Sequence, residues 1–580
     1  MGLWILEPHS DEKVPGTVHI GRETEEQAAL TSKLKHGKGR FAKVVLTPQP
    51  SDSPNDPLNW STTTKYFHSI FLSAGTGLMT GTNNFVNPGQ NIMAKQLHTS
   101  ITVISRSVSL ILLLLGVGAM ISSPAARIWG KRPVFIVGNL VALVGYVIVV
   151  AKPTSLGALY AGRSIHGLGI GGIEFLVSSS VGDLFFVHQR GIHLAIWHFA
   201  LQGGNSIGQV IGGQIIQAQS WVWAFRWCVI ILAVYNVALF LFIPETTYNR
   251  ATRLNTDFHE HLDAYNKADQ PPPSIRPSQP ADNATDSGNE KDGIDTVADT
   301  TVTTANDDIE GQDQGQSGSA AEKKHTFLQS LKVYNGRFSD EKLIDGIVSP
   351  FAAFLLPAVL WTAYAYGCSV AFSASFSVCI AQVFSAPPYN FNPHQTGLTV
   401  IGSFIGSLLG NIFPGRIADW LVKYASRKNN GVYEPEFRNL LCIPAFFFGL
   451  AGFWGFGLSL QAKNHWIVPT FFFGLSTFAG SILSLVSNAY LLDCHRAQSQ
   501  DGYAAVTLGR GIFSFVMTFV INDWINRDGI ATVYFVIGSL HGLACILGMV
   551  LYVFGKRIRL WVSKNKFIQS KLGKPRYVAG

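Results

Sequence analysis

The chain has 580 residues, of which 47% are hydrophobic and only 14% are charged. A soluble globular domain usually carries about a quarter charged residues, so this composition argues against one. The formal net charge of +8 lies largely in loops and tails between long apolar segments, a distribution typical of membrane topology rather than of nucleic-acid binding. The sequence therefore predicts an all-α protein with several membrane spans.

The polar residues 1–64 predict a disordered cytoplasmic tail without the apolar core of a removable signal peptide. Residues 65–245 follow as a predicted N-terminal bundle, whose apolar segments have about the 20 residues that cross a hydrocarbon core. We expect the six transmembrane helices of this bundle at 66–86, 102–122, 133–151, 156–178, 192–215 and 226–243.

Residues 246–345 are rich in Pro, Ser, Gln, Gly and acids, a composition that buries too little apolar surface to fold, and they predict a cytoplasmic disordered linker. A C-terminal bundle at 346–555 and a basic cytoplasmic tail at 556–580 complete the chain. We expect the six transmembrane helices of the second bundle at 347–384, 397–413, 440–460, 467–490, 504–524 and 530–554. The first of these is read as one continuous helix.

Basic residues cluster in the loops after spans 2, 4 and 8, and the opposite loops carry only scattered charges. The basic loop residues are Arg127, Lys131, Arg132, Arg190, Arg416, Lys423, Arg427, Lys428 and Arg438. Lys and Arg in short loops mark the cytoplasmic side of a membrane protein. We therefore predict a plasma-membrane protein with both termini in the cytoplasm.

Small residues recur at helical spacing in three predicted spans. The run GLGIGG at Gly167–Gly172 formally matches a dinucleotide-binding fingerprint, but it lies within an apolar helix and not after a strand, so helix packing is the better interpretation. Two further ridges lie one in each bundle, at Gly204, Gly208 and Gly212 and at Gly402, Gly406 and Gly410. This matching pair predicts that the bundles meet and rock along the two ridges.

Two charged residues, Arg163 and Glu174, stand in the apolar fourth span. Eleven residues at about 100° each bring the two side chains to within about 20° of one helix face, roughly 16 Å apart along the axis. Ionisable groups inside a membrane usually mark a pathway, so we predict that this face lines a central cavity where Glu174 exchanges a proton. The alternative is structural: Arg163 pairs with a neighbouring helix, and Glu174 is protonated in a packed interface.

Other polar and aromatic residues of the spans are candidates for contacting a small molecule in the cavity. Each has an alternative role in helix–helix hydrogen bonding or in anchoring at the membrane interface. Asn83 and Asn84 belong to the same class. The candidates for the cavity are His166, Gln202, Asn205, Gln209, Tyr364, Tyr366, Asn488 and Arg510.

Three short segments carry a resemblance to a known family. They are NDPLNWS at Asn55–Ser61 before the first span, IPETTY at Ile243–Tyr248 after the sixth, and GVYEPEFR at Gly431–Arg438 before the ninth. In these three segments the chain resembles the major facilitator superfamily, and within it the fungal twelve-helix drug:proton antiporter-like group. The resemblance implies two six-helix bundles and proton-driven transport of a small molecule by alternating access, by a monomer without a cofactor.

The superfamily's loop motif, G-x-L-A-D-R-x-G-R-K, has a partial copy in each half of the chain. The first copy, at Ser123–Pro133, has Arg127 in the stretch where the family has an acid. The family residues that the two copies retain are Gly130, Lys131, Arg132, Gly415 and Asp419. In the family this motif latches the cytoplasmic side in one state, so the resemblance implies an incomplete latch in the first half.

Two more motifs carry residue roles over from the family. RSIHGLG matches the fourth-span pattern and implies that Arg163 takes part in proton coupling. GNSIGQVIGG at Gly204–Gly213 resembles the antiporter motif of the fifth span, with Gln209 where a proline is usual. We predict proton-coupled export of a toxic compound or a secondary metabolite. The alternatives are proton-coupled uptake of a cation, polyamine or other nutrient, and a non-transporting sensor.

A membrane-bound metal enzyme is the main interpretation from another class. The sequence contains no HExxH pair. His188, His193 and His198 are spaced by five residues, which turns each side chain about 140° from the last, so they do not share a helix face. We therefore expect neither a metal site nor an enzymatic activity.

Overall fold

The computed structural model describes residues 4–7, 14–19, 35, 46, 48–248, 324, 326–429, 432–495 and 498–572. Long helices dominate this part of the chain. The first six are α1 (Thr62–Asn84), α2 (Ile101–Trp129), α3 (Lys131–Ala151), α4 (Leu156–Leu184), α5 (Val187–Ala218) and α6 (Trp221–Phe242). The second six are α7 (Pro357–Phe384), α8 (Ile401–Lys428), α9 (Cys442–Gln461), α10 (Ile467–Cys494), α11 (Ser499–Asp528) and α12 (Ile530–Lys564).

Short elements connect and flank the long helices. The short helices are Pro57–Asn59, Asn87–Gly89, Gln90–Gln96, Phe327–Ser330, Leu343–Ala353, Pro393–Leu398, Pro435–Leu441 and Lys566–Leu572. Strand β1 (Val18–His19) pairs antiparallel with β2 (Val432–Tyr433), with Val18 opposite Tyr433. We call the side of the protein with the α2–α3 turn and Lys566–Leu572 the basic side, and the side with Asn87–Gly89 and Pro393–Leu398 the opposite side.

Hydropathy separates the long helices into two groups. Among the described residues, nine helical segments are long and apolar enough to cross a membrane, so the protein is a multi-pass membrane protein. Helices α1, α4 and α5 are not among these segments. Polar side chains interrupt all three, as Arg163 and Glu174 do in α4. These three helices supply much of the polar wall of the cavity described below.

Serine residues start four of the long helices. The hydroxyl groups of Ser61, Ser100, Ser155 and Ser220 each accept a hydrogen bond from a backbone N–H in the first turn of α1, α2, α4 and α6, respectively. Each cap satisfies an N–H that has no partner within the helix and contributes about 1 kcal/mol. These caps explain why the helices begin close to the residues that hydropathy predicted.

Each set of six helices has its own apolar core. Leu72, Phe135 and Phe225 are buried in the first set, and Phe376 and Phe453 are buried in the second. The ring of Phe376 stacks on that of Phe453 with a centroid separation of 5.8 Å. Lipid tails are as apolar as these side chains, so close packing rather than the release of water holds each set together.

The region predicted as one helix at 347–384 consists of two helices. The first ends at Ala353, and α7 begins at Pro357 after an extended residue, Leu356. Proline lacks the N–H needed to continue a helix and disfavours helical geometry at the preceding residue, so it begins α7 instead. The prediction of a continuous helix is wrong at this point.

The predicted disorder of the N-terminal tail is wrong for part of that tail. Besides the β1–β2 pair, Ile5 is buried with Tyr433 and Tyr552, and the Leu6 N–H donates to the Val553 carbonyl at 3.0 Å. The tail therefore contacts the second half of the chain.

The predicted linker is also ordered at its C-terminal end. Its Phe338 N–H donates to the Ile128 carbonyl at 2.8 Å, and Glu341 pairs with Arg127. These contacts tie residues just before the second helical set to the end of α2. The stretch 249–323 lies outside the described residues.

The glycine ridges pack within each half and not between the halves. Gly208 of α5 lies so close to Gly81 of α1 that an added Cβ would collide with the Gly81 carbonyl oxygen. Gly406 of α8 lies in the same way against Gly474 of α10. The prediction that the halves meet along these ridges is therefore wrong. The halves meet where α2 and α11 touch at Gly116, and where α5 meets α8 and the short helix before it through faces other than the ridges.

Candidate functional site

A small cavity lies between the two sets of helices. Its volume of about 90 Å³ is far less than the several hundred Å³ of a typical ligand pocket. Its lining residues are Thr80, Asn83, Asn84, Asn87, Val108, Leu112, Leu115, Ile170, Glu174, Leu201, Gln202, Asn205, Val370, Ser373, Ala374, Arg510, Gly511 and Ser514. Both halves contribute to this wall, so relative movement of the halves changes the size of the cavity.

An ion pair inside the cavity joins the two halves. The Arg510 guanidinium of α11 donates to the Glu174 carboxylate of α4 over 2.7 Å, and the two side chains are only 6% and 12% exposed. Arg510 also donates to the Tyr366 hydroxyl of α7 at 3.0 Å and lies 5.0 Å from the centre of that ring. Burial makes such a pair costly to break, because the remaining partner would stay in a nonpolar region with an uncompensated charge.

Arg163 lies away from the cavity, although it is on the same helix as Glu174. Its guanidinium donates to the Asn83 backbone carbonyl at 3.2 Å and lies 5.3 Å from the centre of the Phe225 ring. The side chain is 1% exposed and is not part of the lining. Helical spacing correctly predicted that both residues lie on α4. However, α4 is surrounded by α1 and α6 at the level of Arg163 and faces α11 at the level of Glu174. The predicted shared cavity face is therefore wrong for Arg163.

The other predicted cavity residues divide into two groups. Gln202, Asn205 and Arg510 line the cavity, and Tyr366 contacts it through Arg510. His166 does not line it, because its ring bonds the Tyr146 hydroxyl at 3.0 Å and faces α3.

Three further candidates also make contacts elsewhere. Tyr364 donates to the Leu540 carbonyl at 3.0 Å, and Asn488 donates to the Ser484 carbonyl at 2.8 Å. Gln209 donates to the Ser377 hydroxyl at 3.0 Å, between α5 and α7. Tyr364 and Gln209 therefore join neighbouring helices, whereas Asn488 bonds the backbone of its own helix, α10. None of the three lines the cavity.

Helix α1 and the turn after it supply a polar wall, in which Asn83 and Asn84 were among the residues considered from the sequence and Thr80 and Asn87 were not. Thr80, Asn83, Asn84 and Asn87 recur at spacings of three and four residues, which brings them to one side of the chain. This spacing in the stretch TGTNNFVN was the signal available in the sequence. Ser514 of α11 also lines the cavity, and nothing in the sequence distinguished it from the other serines of the spans.

On the basic side, two acidic residues hold the first copy of the loop motif. The Glu245 carboxylate accepts from the backbone N–H groups of Lys131 and Arg132, both at 3.0 Å, and so caps α3. Lys131 also forms a buried ion pair with Asp183. At Gly130, φ is +92° and a Cβ would collide with Glu245, so glycine is required. The sequence reasoning missed both acids.

Arg127 connects the two halves on the basic side. It pairs with Asp501 of α11 at 3.1 Å and with Glu341 at 3.1 Å. The positive charge therefore belongs to the first half. The negative charges belong to Glu341, just before the helix Leu343–Ala353, and to Asp501, in the first turn of α11. The acid of the family motif is absent here, as the sequence indicated, but Arg127 at this position still forms ion pairs between the halves. Its role as a latch stays a prediction. In the second copy, Asp419 is exposed and Gly415 has open space around it.

We expect Arg127→Gln to increase the open population of the basic side roughly tenfold, because each charged hydrogen bond to a carboxylate contributes about 1.5–3 kcal/mol. Spin labels at Thr62→Cys and Arg427→Cys would report the separation of the halves by pulsed electron paramagnetic resonance. Arg416→Gln is the matched control, since Arg416 is an exposed residue of the second motif copy. Equal distance distributions for both variants would contradict the latch.

Comparison with known proteins agrees with this architecture. The model of the Major Facilitator Superfamily matches residues 71–549. An uncharacterized MFS-type transporter of Schizosaccharomyces pombe is 26% identical over 567 residues, covering 96% of this chain and 94% of that protein. The efflux pump radE of Floropilus chiversii is 22% identical over 545 residues, covering 93% and 89%.

Among solved structures, the fold is similar to the xylose transporter XylE from E. coli in a partially occluded inward-open conformation. The TM-score is 0.54 at 11% identity, with 84% of this chain and 98% of the other covered. A family match over most of the length, together with two helical sets around a central cavity, leads to one assignment. The chain belongs to the major facilitator superfamily of membrane transporters.

Proposed function

We propose that this transporter exports small organic compounds in exchange for protons, by exposing the cavity alternately to the two sides of the membrane. The observation that carries the proposal is the Glu174–Arg510 pair, which joins the halves across the cavity itself. In the proposed cycle one group both binds the proton and holds the halves together. We assign both roles to the Glu174 carboxylate.

The proton and Arg510 compete for the same carboxylate. When Glu174 binds a proton, Arg510 loses its charged partner and retains the hydroxyl and ring of Tyr366. The attraction between the halves then weakens, and the cavity can widen. When the proton leaves, the pair re-forms and draws the halves together. A cationic substrate would compete for Glu174 in the same way.

The lining suggests the kind of substrate. Amide and hydroxyl groups of Asn84, Gln202 and Ser514 alternate with aliphatic side chains such as Leu112 and Ile170. A compound with an apolar body and several hydrogen-bonding groups is complementary to this wall. The cavity must enlarge from about 90 Å³ to admit it. The name of radE as an efflux pump supports export as the direction.

The topology belongs to the same proposal. Twelve spans, with α1–α6 and α7–α12 as two bundles, place the basic side in the cytoplasm because its loops carry the Lys and Arg residues. Both termini are then cytoplasmic. We propose that the protein acts as a monomer in the plasma membrane and belongs to the drug:proton antiporter-like group.

Flux in proteoliposomes tests the energy source and the direction. Purified protein is reconstituted, a pH gradient is imposed, and the movement of a panel of cationic and neutral compounds is followed. We expect a compound to move against the proton flow, and to stop moving when an ionophore collapses the gradient. Flux that is indifferent to the ionophore for every transported compound would contradict proton coupling.

Uptake remains a second candidate because of two observations. A carboxylate lines the cavity at Glu174, which suits a cation or polyamine, and Gln209 occupies the position where the antiporter motif has proline. In the same assay, a compound that moves with the protons would favour uptake over export. A complete absence of flux, with correctly folded protein, would favour a sensor.

A further inference from the structure

We propose that a buried chain of amide and hydroxyl side chains couples the cavity wall to the closure of the opposite side, with Gln90, Ser105 and Asn522 as its positioning residues. The inference rests on alternating access, but not on the direction of transport or on proton coupling. None of these three residues lines the cavity. They act on it through the neighbouring amides of α1 and of the turn that follows it.

The first part of the chain crosses between the halves. The Asn522 side-chain amide of α11 donates to the Ser105 hydroxyl of α2 at 2.6 Å. The Ser105 hydroxyl lies 2.9 Å from the Gln90 amide oxygen and 2.8 Å from the Ile101 carbonyl oxygen, and its single proton is available to either acceptor. Gln90 begins the short helix after α1, so three separate segments of the chain meet at these two hydrogen bonds.

The second part leads from this contact into the cavity. The Gln90 side-chain N–H donates to the Asn87 amide oxygen at 3.3 Å, and Asn87 donates to the Asn84 amide oxygen at 2.8 Å. Asn84 completes the chain by donating to the Thr80 backbone carbonyl at 2.8 Å. Thr80, Asn84 and Asn87 all line the cavity. A molecule bound there touches one end of a chain whose other end lies in α11.

Burial makes the members of the chain depend on one another. Exposure is 1% or less for Gln90, Asn87, Ser105 and Asn522, and 8% for Asn84. Each side-chain amide donates in the same direction along the chain, from Asn522 towards the cavity. Turning one buried amide would break its hydrogen bonds to its neighbours in the chain, which is costly. Hydrogen bonds linked in this way also polarise one another. The chain therefore responds as a unit.

Each positioning residue is the sequence neighbour of a residue that closes the opposite side. Arg106, next to Ser105, pairs with Asp523, next to Asn522, at 3.0 Å. Asn91, next to Gln90, donates to Ser385 at 3.0 Å. A shift of the buried chain moves the backbones that carry these contacts.

The buried hydrogen bonds of the amide chain influence the closure of the opposite side more than the exposed ion pair between Arg106 and Asp523 does. The side chains of Arg106 and Asp523 are 35% and 53% exposed, so water screens the attraction between them. The bond between Asn522 and Ser105 is buried. The amide chain, rather than the surface ion pair, is therefore the element that links the state of the cavity to closure.

A double-mutant cycle tests the coupling without any substrate. Spin labels at Ala218→Cys and Ala462→Cys, on the opposite side, report the separation of the halves by pulsed electron paramagnetic resonance in nanodiscs. Asn84→Ala, at the cavity end, removes the bond within α1 to Thr80 and the bond from Asn87 that belongs to the chain. We expect it to raise the ratio of open to closed protein about fivefold, the effect of losing the one buried hydrogen bond from Asn87. In a Gln90→Leu background, which cuts the chain midway, the same substitution should change the ratio less than twofold.

Gln96→Leu is the matched control, since Gln96 lies on the same short helix and accepts from Trp221 instead of belonging to the chain. In that background Asn84→Ala should retain its full effect. An equal effect of Asn84→Ala in the Gln90→Leu and Gln96→Leu backgrounds, or no effect in the unaltered chain, would overturn the proposal. Variants are compared only as monodisperse protein with its melting transition retained, so misfolding is detected separately from a loss of coupling.

Discussion

Glu174→Gln is expected to reduce gradient-driven flux by a factor of roughly 100 or more, since removing one partner of a buried ion pair costs about 3–5 kcal/mol. The substitution keeps the size of the side chain but removes the charge that holds Arg510 and the group that binds the proton. The free-energy difference between the closed and open arrangements of the two halves then no longer depends on whether residue 174 carries a proton. Flux is measured in proteoliposomes under an imposed pH gradient, with any compound that the unaltered protein transports.

Asp523→Asn is the matched control for this experiment. It also removes a carboxylate from an ion pair between the halves, but the Arg106–Asp523 pair is largely exposed and contributes at most about 1 kcal/mol. We expect a change in flux of only a few-fold. Arg510→Gln should reduce flux as Glu174→Gln does, because both substitutions break the same ion pair. Near-normal gradient-driven flux in Glu174→Gln would show that the glutamate is structural.

Arg559→Met is expected to lower the stability of the folded protein more than any other single replacement of a basic residue on the basic side. The Arg559 guanidinium donates to both oxygens of Glu436 at 2.9 and 2.8 Å and to Glu434 at 2.8 Å. All three side chains are at most 2% exposed. Methionine preserves much of the volume but leaves two buried carboxylates without the guanidinium, a loss of about 3–5 kcal/mol.

Arg557→Met serves as the comparison, two positions away on α12. Its Nε donates to the Glu7 carbonyl at an exposed site, so its loss should cost no more than about 1 kcal/mol. Scanning fluorimetry of both variants in detergent would give the two melting temperatures. Equal melting temperatures would mean that other groups, such as Lys556, compensate the carboxylates fully.

The Arg127 contact shows how a family motif can be altered while its position keeps a role. In the first motif copy an arginine stands where the family has an acid, and the acids that face it come from Glu341 and Asp501. Because Glu341 lies at the end of the linker, that segment takes part in joining the halves on the basic side. The direction of charge is reversed, but an ion pair still connects α2 to the start of α11.

The sequence by itself determined which segments are helices and what kind of protein they build. Rare charges and apolar segments of bilayer length depend only on local chemistry, and they predicted the position of each long helix along the chain. The ends were less accurate, because α8 continues to Lys428 and α12 to Lys564, well past the predicted ends at 413 and 554. The break within 347–384 involved a proline whose local effect was readable at Pro357. Glu174 could also be singled out, because a carboxylate in an apolar segment is costly wherever the segment packs.

Only the tertiary structure decided which residues meet. Helical periodicity gives the face of a side chain but not the helix opposite it, and so it could not separate Arg163, packed against α1 and α6, from Glu174 in the cavity. Arg510 pairs with Glu174 across 336 positions in sequence, and Asn522 bonds Ser105 across 417. Contacts over such separations arise from the packing of two helical sets against each other, and no local pattern in either segment encodes the identity of its partner.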